Sequence, residues 1–117
     1  MAENISLLNS NVRGLNDQAR CSAVNALIQK LGCSLVCLQE TKLAQVLDAD
    51  CCEIAGPSFD GHAALNADGT RGGVLLLWRK DKFTVDNIEV RAFSVSARIA
   101  PVDGLPPWTV TTVYGRL

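Results

Sequence analysis

The stretch SLVCLQETK, from Ser34 to Lys42, decides the fold. Its first half is apolar without polar alternation, which is typical of a strand buried on both faces of a sheet. The same stretch then runs directly into Gln39, Glu40 and two further polar residues. A carboxylate at the exit of a buried strand is costly unless it is paired or bound to a cation. The stretch therefore predicts a central strand whose end carries a carboxylate in need of a partner.

The residues before this strand predict a strand, a turn and a helix. Asn4 to Val12 is β-like, and Gly14 ends it. The segment DQARCSAVNALIQKLG follows, in which Asn16 or Asp17 can cap a helix and Gly32 can stop it. Its apolar positions recur at helical spacing, with Leu27 widening a stripe of Cys21, Val24, Ile28 and Leu31.

Strand, helix and strand joined by short turns place the two strands side by side in one sheet. The ends of the strands then lie at the same edge of that sheet. We therefore expect Asn11, near the end of the first strand, to approach Glu40, which follows the second.

The second half of the chain is richer in β-structure. Leu43 to Ile54 is expected to be a loop or short helix, irregular around Cys51–Cys52. Approximate alternation and turn residues then predict antiparallel hairpins. The expected strands are Val74–Arg79, Phe83–Val90, Phe93–Ile99 and Trp108–Tyr114, the last with Trp108, Val110, Thr112 and Tyr114 on one face.

The composition is that of one globular domain spanning residues 1–117, with 48% hydrophobic and 20% charged residues. The net charge is −1, so no global basic field attracts nucleic acid or an anionic membrane. A polyanion would have to be met by a local site or a bound cation. The longest apolar run, Val74 to Trp78, is too short to span a bilayer.

The five cysteines are odd in number, and the N-terminus lacks a basic segment followed by a long apolar one. No secretory signal is evident, and reduced thiols are expected. The expected location is nuclear or cytoplasmic, and not secreted.

Four motifs occur in order: NVRGLN (Asn11–Asn16), VCLQETK (Val36–Lys42), RGGVLLLW (Arg71–Trp78) and TVYG (Thr112–Gly115). Together they resemble the N-terminal half of the endonuclease/exonuclease/phosphatase superfamily. More narrowly, they are similar to the endonuclease domain of plant non-LTR (LINE-type) retrotransposons. The resemblance implies an α/β fold, the N-terminal portion of a four-layer α/β sandwich with mixed and antiparallel sheets. A portion of this kind leaves a sheet face uncovered, so exposed apolar sheet surface and self-association are expected.

The resemblance also implies roles for individual residues. Glu40 would be a metal ligand, and Asn11 would orient the metal and the phosphate. Tyr114 would lie near the scissile phosphate. The implied cofactor is Mg²⁺, with Mn²⁺ as an alternative, because a site with few carboxylates suits a hard cation that keeps several waters. Arg71 and Arg13 would contact the backbone of a DNA substrate.

Each of these residues also has a purely structural interpretation. Glu40 could be a solvated strand end or pair with Lys42, and Asn11 could form an Asx turn leading to Gly14. Tyr114 could be a half-buried strand aromatic, and both arginines could be exposed surface residues. Gln39 could brace the site or simply be a polar strand end. The only histidine, His62, is interpreted as a surface residue in a loop.

Members of the family also use a later Asp-x-Asn segment and a terminal Asp and His, with the histidine as general base or transition-state donor. No counterpart follows Tyr114, and Arg116 stands where relatives commonly place proline. The resemblance therefore implies a truncated Mg²⁺-dependent endonuclease domain, inactive or nearly so as an isolated chain. Two alternatives are a phosphoesterase half-domain completed by a partner and a non-catalytic module that binds proteins by strand addition.

Overall fold

The computed structural model describes residues 7–69 and 71–113. Two helices and seven strands form within these residues. In chain order they are β1 (Leu7–Asn11), α1 (Gln18–Leu31), β2 (Leu35–Gln39), α2 (Asp48–Ala55), β3 (Gly61–Leu65), β4 (Val74–Trp78), β5 (Phe83–Val90), β6 (Ser94–Pro101) and β7 (Trp108–Val113).

The first sheet has the strand order β1-β2-β4-β3. Its β1 and β2 are parallel, as the βαβ pattern predicts, and the other two pairs are antiparallel. The central strands are the uninterrupted apolar runs LVCL and VLLLW, and every residue of these runs is buried. A strand covered on both faces has no solvent side on which a polar residue would be favourable, which explains the lack of alternation.

The second sheet is antiparallel, with the order β5-β6-β7. Its middle strand alternates between half-buried and buried residues, so one face points into a core. The alternation predicted for β5 is interrupted by a register shift between Asp86 and Glu89. A bulge of this kind bends a strand and increases its twist.

Two cores hold three layers together. The first lies between the helices and one face of the first sheet, where Ile28 and Ile54 pack with residues such as Leu38 and Leu77. The second lies between the two sheets, where alternate residues of the same strands pack against β6. The order of layers is therefore helices, mixed sheet, antiparallel sheet. This is an α/β architecture with mixed and antiparallel sheets, as predicted.

The boundaries of α1 follow the predicted capping residues. Asp17 is the N-cap, and its carboxylate accepts a hydrogen bond from the Ala19 backbone N–H at 2.9 Å. Gly32 ends the helix with φ +61°, a left-handed conformation that glycine adopts without a steric penalty. The apolar stripe predicted for α1 is too wide. Leu27 and Leu31 were expected to be part of its buried face, but they are 39% and 49% exposed.

Two elements differ from expectation. The segment expected to be irregular around Cys51–Cys52 is the regular helix α2, with Cys51 buried against the first sheet. The strand β3 was not predicted, because its glycine and alanines are residues that strands disfavour. It forms since all five of its residues pair with β4. Gly61 is required there because a Cβ would lie 2.2 Å from the Trp78 indole nitrogen.

The outer face of the second sheet is mostly polar, and its exposed apolar side chains lie near one end. The outer face of the second sheet carries mainly serine, threonine and arginine, among them Ser96, Arg98 and Thr111. Exposed apolar side chains near one end of this sheet include Val90 and Val113. No helix of the described residues is both long and apolar enough to cross a membrane.

Candidate active site at the ends of β1 and β2

The parallel pairing of β1 and β2 brings the predicted residues together. Asn11 is in register with Gln39, so Glu40 is the first residue beyond the paired strands. The chain continues side by side after the strands end. Val12 N–H donates to the Gln39 carbonyl at 3.0 Å, and Gly14 N–H donates to the Glu40 carbonyl at 2.7 Å. The expected proximity of these two strand ends is present, although no hydrogen bond joins the Asn11 and Glu40 side chains.

The RGG motif lies on the other side of the segment that contains Glu40. Thr41 N–H donates to the Gly73 carbonyl at 3.2 Å, and Lys42 N–H donates to the Gly72 carbonyl at 2.8 Å. A Cβ on Gly73 would lie 2.3 Å from the Thr41 hydroxyl, so only glycine permits this close approach. Gly73 of the RGG motif is therefore required for packing against the QETK segment.

Residues with left-handed backbone are concentrated just beyond the ends of β1 and β2. Of the described residues other than glycine, four have positive φ, namely Arg13, Glu40, Lys42 and Asn87. The first three, with φ of 53°, 54° and 58°, lie in the paired segments beyond β1 and β2. Such residues cost free energy relative to ordinary backbone and cluster at functional sites. Their clustering makes this end of the sheet a candidate functional site on grounds independent of any motif.

The Glu40 side chain is half-buried and has no hydrogen bond or ion pair with another described residue. The alternative interpretation, a salt bridge to Lys42, is therefore not realised. Lys42 instead extends its aliphatic stem over Gly14, where a Cβ would meet its Cδ at 3.2 Å. The carboxylate remains open to a ligand.

The Asn11 side chain forms the Asx turn that was considered as its structural interpretation. Its Oδ1 accepts a hydrogen bond from the Arg13 N–H at 3.1 Å. The interaction uses one lone pair of the oxygen and leaves the amide NH₂ free for another group. Gln39 donates a side-chain hydrogen bond to the Asn9 side-chain oxygen on β1. It therefore braces the two strands one residue before the site.

The predicted arginines lie on opposite sides of Glu40. Arg13 immediately precedes Gly14, which bonds to the Glu40 backbone, and Arg71 immediately precedes Gly72, which bonds to the Lys42 backbone. Both arginines are exposed. Arg13 and Arg71 thus belong to the two segments that pair, through backbone hydrogen bonds, with the segment that contains Glu40 and Lys42.

Sequence reasoning missed three residues that organise these loops. Lys42 was considered only as a partner of Glu40. Asn16, the last residue of NVRGLN, is not the helix cap but donates from its side chain to the Lys42 carbonyl at 3.0 Å. Arg20 on α1 donates to the carbonyls of Val12 and Arg13. The signal for Asn16 was its place in the motif, whereas nothing in the sequence distinguishes Arg20 from any exposed helix arginine.

Other predicted residues lie elsewhere. Tyr114 lies outside the described residues. The expected proximity of Tyr114 to Asn11 and Glu40 therefore stays a prediction. His62 lies on β3 rather than in a loop, with its Nδ1 3.5 Å from an Asp48 carboxylate oxygen and 26% of its side chain exposed. It does not belong to the strand-end site.

A cleft of about 280 Å³ opens on the helix side of the first sheet. It is lined by Leu15, Asn16, Gln18, Cys21, Leu43, Asp50, Glu53 and Ile54. Burial, and secondarily the Glu53 carboxylate, raises the pKa of the Cys21 thiol, so this thiol stays protonated at neutral pH. Neither Asn11 nor Glu40 lines the cleft, and it is separate from the strand-end site.

The donor set fits only a loosely held metal ion. No group of three or more histidine, cysteine, aspartate or glutamate residues suited to a metal occurs in the described part of the chain. One carboxylate and one amide oxygen are hard ligands of the kind that Mg²⁺ accepts while it keeps several waters and binds phosphate oxygens. Glu40 and Asn11 are therefore compatible with Mg²⁺, with most of its coordination left to water and substrate.

The comparison with known proteins identifies the family. The profile of the endonuclease/exonuclease/phosphatase family matches residues 8–115, so the chain belongs to this family. Among solved structures it is similar to the AP endonuclease LMAP from Leishmania major, with a TM-score of 0.61 and 19% sequence identity. The similarity covers 92% of this chain but 39% of that one, so the chain spans less than half the length of the relative. A search of curated proteins gave no significant match.

Proposed function

We propose that this chain contains the metal-binding and phosphate-binding part of a Mg²⁺-dependent endonuclease of the kind found in plant LINE-type retrotransposons. The observation that carries the proposal is the unpartnered Glu40 carboxylate, held on left-handed backbone between two arginine-bearing loops. Mn²⁺ is an alternative to Mg²⁺, because both accept oxygen ligands.

The arrangement supports binding of a phosphodiester. Glu40 and Asn11 would hold the metal, which when bound neutralises charge on the phosphate undergoing attack. Arg13, Lys42 and Arg71 lie on the segments that meet beside Glu40 and would contact neighbouring phosphates of a nucleic-acid backbone. Tyr114 would act as a further hydrogen-bond donor to a phosphate oxygen, as the family resemblance implies.

Activation of water is the step for which these 117 residues lack a candidate. The family resemblance calls for a histidine as general base, and the only histidine of the sequence is beside Asp48 on β3. We therefore expect the isolated chain to bind metal and DNA but to hydrolyse DNA very slowly or not at all.

DNA is preferred over small phosphoesters for two reasons. The motifs NVRGLN, QETKL and RGGVLLLW most resemble retroelement sequences. In addition, the arginines flank Glu40 on two sides, which suits an extended backbone of phosphates better than one phosphate group. Mg²⁺-dependent binding of DNA, compared with Mg²⁺-dependent binding of inositol phosphates, tests this choice without requiring hydrolysis.

A thermal-shift titration with Mg²⁺ tests the metal site. Binding only to the folded state stabilises it by about 1.4 kcal/mol at tenfold excess over Kd, which raises the Tm of a domain of this size by several degrees. We expect this rise in the unmodified chain and in Glu53→Gln, which removes one exposed carboxylate elsewhere, but not in Glu40→Gln. No rise in the unmodified chain, or an equal rise in Glu40→Gln, would contradict the proposal.

A further inference from the structure

Arg20 lies in the first turn of α1, where a positive charge is unfavourable. The helix begins after its N-cap Asp17, so Arg20 is its third residue, and the first turn contains no acidic residue. The free N–H groups at a helix N-terminus carry partial positive charge, so this position favours glutamate or glutamine over a cation. The presence of an arginine there therefore has to be explained by its contacts outside the helix.

The Arg20 guanidinium contacts the loop that joins β1 to α1. Its Nη1 donates to the Arg13 carbonyl and lies 3.5 Å from the Val12 carbonyl oxygen. Two carbonyl oxygens that point at the same place repel each other, and a cationic donor between them offsets this repulsion. The contact therefore joins the first turn of the helix to the backbone of two successive loop residues.

The same loop takes part in the strand-end site. Arg13 has φ of 53°, and its N–H donates to the Asn11 side chain at 3.1 Å. Its carbonyl accepts from Arg20, so side chains hold the Arg13 backbone on both sides. The next residue, Gly14, donates its N–H to the Glu40 carbonyl at 2.7 Å. Arg20 therefore supports the left-handed residue that connects the Asn11 turn to the Glu40 segment.

We propose that Arg20 is a positioning residue that keeps Arg13 in the left-handed conformation from which the Arg13 side chain contacts a phosphate of DNA. The inference deepens the proposed function and rests on it. Arg20 acts through the backbone of the loop and not by contact with DNA, since its Nη1 is engaged by the loop carbonyls. A side chain whose backbone is already fixed loses less conformational freedom when it binds, and this raises affinity.

Arg20→Gln separates this role from a contribution to the stability of α1. Glutamine three residues after an aspartate N-cap completes a capping box, so the helix should keep its stability or gain slightly. The glutamine amide is neutral and its side chain is shorter, so it no longer bridges the two carbonyls. We expect the Tm to be unchanged or slightly higher while binding of DNA becomes weaker. A residue that only stabilised the fold would lower both together.

Binding of a fluorescein-labelled DNA duplex in the presence of Mg²⁺ measures the effect. Arg20→Gln should weaken binding roughly tenfold, as loss of one hydrogen bond to a charged group typically does. Arg13→Gln should weaken it at least as much, and the double variant should bind no more weakly than Arg13→Gln, because Arg20 acts through Arg13. The matched control is Lys30→Gln, which removes the same charge about 15 Å away at the other end of α1. It should bind as the unmodified chain does.

Hydrogen exchange tests the loop without DNA or metal. The Gly14 amide, which donates to Glu40, should exchange faster in Arg20→Gln than in the unmodified chain. Amides of β2, which are protected by pairing with β1 and β4, should not change. Lys30→Gln should exchange as the unmodified chain does at both places.

Unchanged exchange at Gly14 in Arg20→Gln would overturn the proposal. So would a double variant that binds DNA more weakly than Arg13→Gln by the full effect of Arg20→Gln, since Arg20 would then contact DNA itself. An equal loss in Lys30→Gln would also overturn it, because net charge alone would explain the effect. If the unmodified chain bound no DNA, the proposed function would fail, and with it the role of Arg20 toward DNA. Exchange at Gly14 would still decide whether Arg20 holds the loop.

Discussion

Three charged residues around the ends of β1 and β2 have left-handed backbone, although none of them is glycine. For an L-residue this conformation costs roughly 1–2 kcal/mol, because the Cβ approaches a backbone carbonyl oxygen. Neighbouring strands and the Gly14, Gly72 and Gly73 loops hold the residues there through backbone hydrogen bonds. Proteins commonly retain such strain where a side chain is needed for function.

Two substitutions at Glu40 measure this strain. Glu40→Gly removes the side chain and relieves the left-handed conformation, whereas Glu40→Ala removes the side chain and keeps a Cβ. We expect the glycine variant to be more stable than the alanine variant by about 1 kcal/mol in urea unfolding. An alanine variant of equal or greater stability would show that position 40 is not strained.

The close approach of Gly73 to Thr41 gives a second prediction at this scale. Gly73→Ala should lower the free energy of unfolding by roughly 2–4 kcal/mol, because its Cβ would overlap the Thr41 hydroxyl at 2.3 Å on backbone with φ +95°. Gly104→Ala is a matched control, since its φ is +91° but no atom lies within 4 Å of the added Cβ. Urea unfolding should show a clearly smaller loss for Gly104→Ala. Equal losses would mean that backbone conformation alone requires glycine at position 73.

At the scale of single elements, α1 links the strands that build the site, and its first turn begins directly after NVRGLN. Asp17 caps the helix, while Asn16 and Arg20, on either side of the cap, hold the loops that contain Arg13 and Lys42. The start of the helix therefore fixes the geometry of the site as well as the position of α1.

Asp17→Ala should destabilise the protein by about 1 kcal/mol, because the Ala19 N–H loses its acceptor at the helix N-terminus. Asp17→Asn is the control, since asparagine caps helices about as well as aspartate. Thermal unfolding followed by circular dichroism compares the variants. If Asp17→Asn lost as much stability as Asp17→Ala, the negative charge and not the hydrogen bond would be the stabilising feature.

At the scale of the whole molecule, buried thiols occur in both cores. Four of the five cysteines are buried and only Cys52 is exposed. Burial, followed by the carboxylates of Asp48 and Asp50, raises the pKa of the Cys51 thiol from 9.0 to about 11. The folded protein therefore keeps a proton that the unfolded chain has already lost above about pH 9.

This difference predicts a loss of stability in alkaline solution. The free energy of unfolding should be unaffected by Cys51 below about pH 9 and should fall as the pH rises towards 11. Cys51→Ala should make this fall less steep, whereas Cys52→Ala at the exposed neighbouring position should leave it unchanged. Urea unfolding under reducing conditions across this pH range measures the slopes. Identical slopes for all three proteins would show that Cys51 ionises alike in both states.

Much of the fold was predictable because capping residues and apolar runs in the sequence indicate its helices and strands. Asp17 and Gly32 mark the limits of α1, and the uninterrupted apolar runs mark β2 and β4 as central strands. β3 was not predictable, because its stability comes from pairing with β4 and not from its own residues. Likewise, the packing role of Gly73 becomes visible only when Thr41 is placed against it.

By itself, the sequence determined the family, the βαβ unit and the proximity of Asn11 to Glu40, since motif order and short connections suffice for these. Only the tertiary structure decided that Glu40 has no salt bridge to another described residue and that Asn11 forms an Asx turn. It also decided that the segments of Arg13 and Arg71 flank the Glu40 segment. The physical reason is that loops beyond strand ends take their conformation from contacts between segments distant in sequence. Such contacts leave no periodic pattern in the chain.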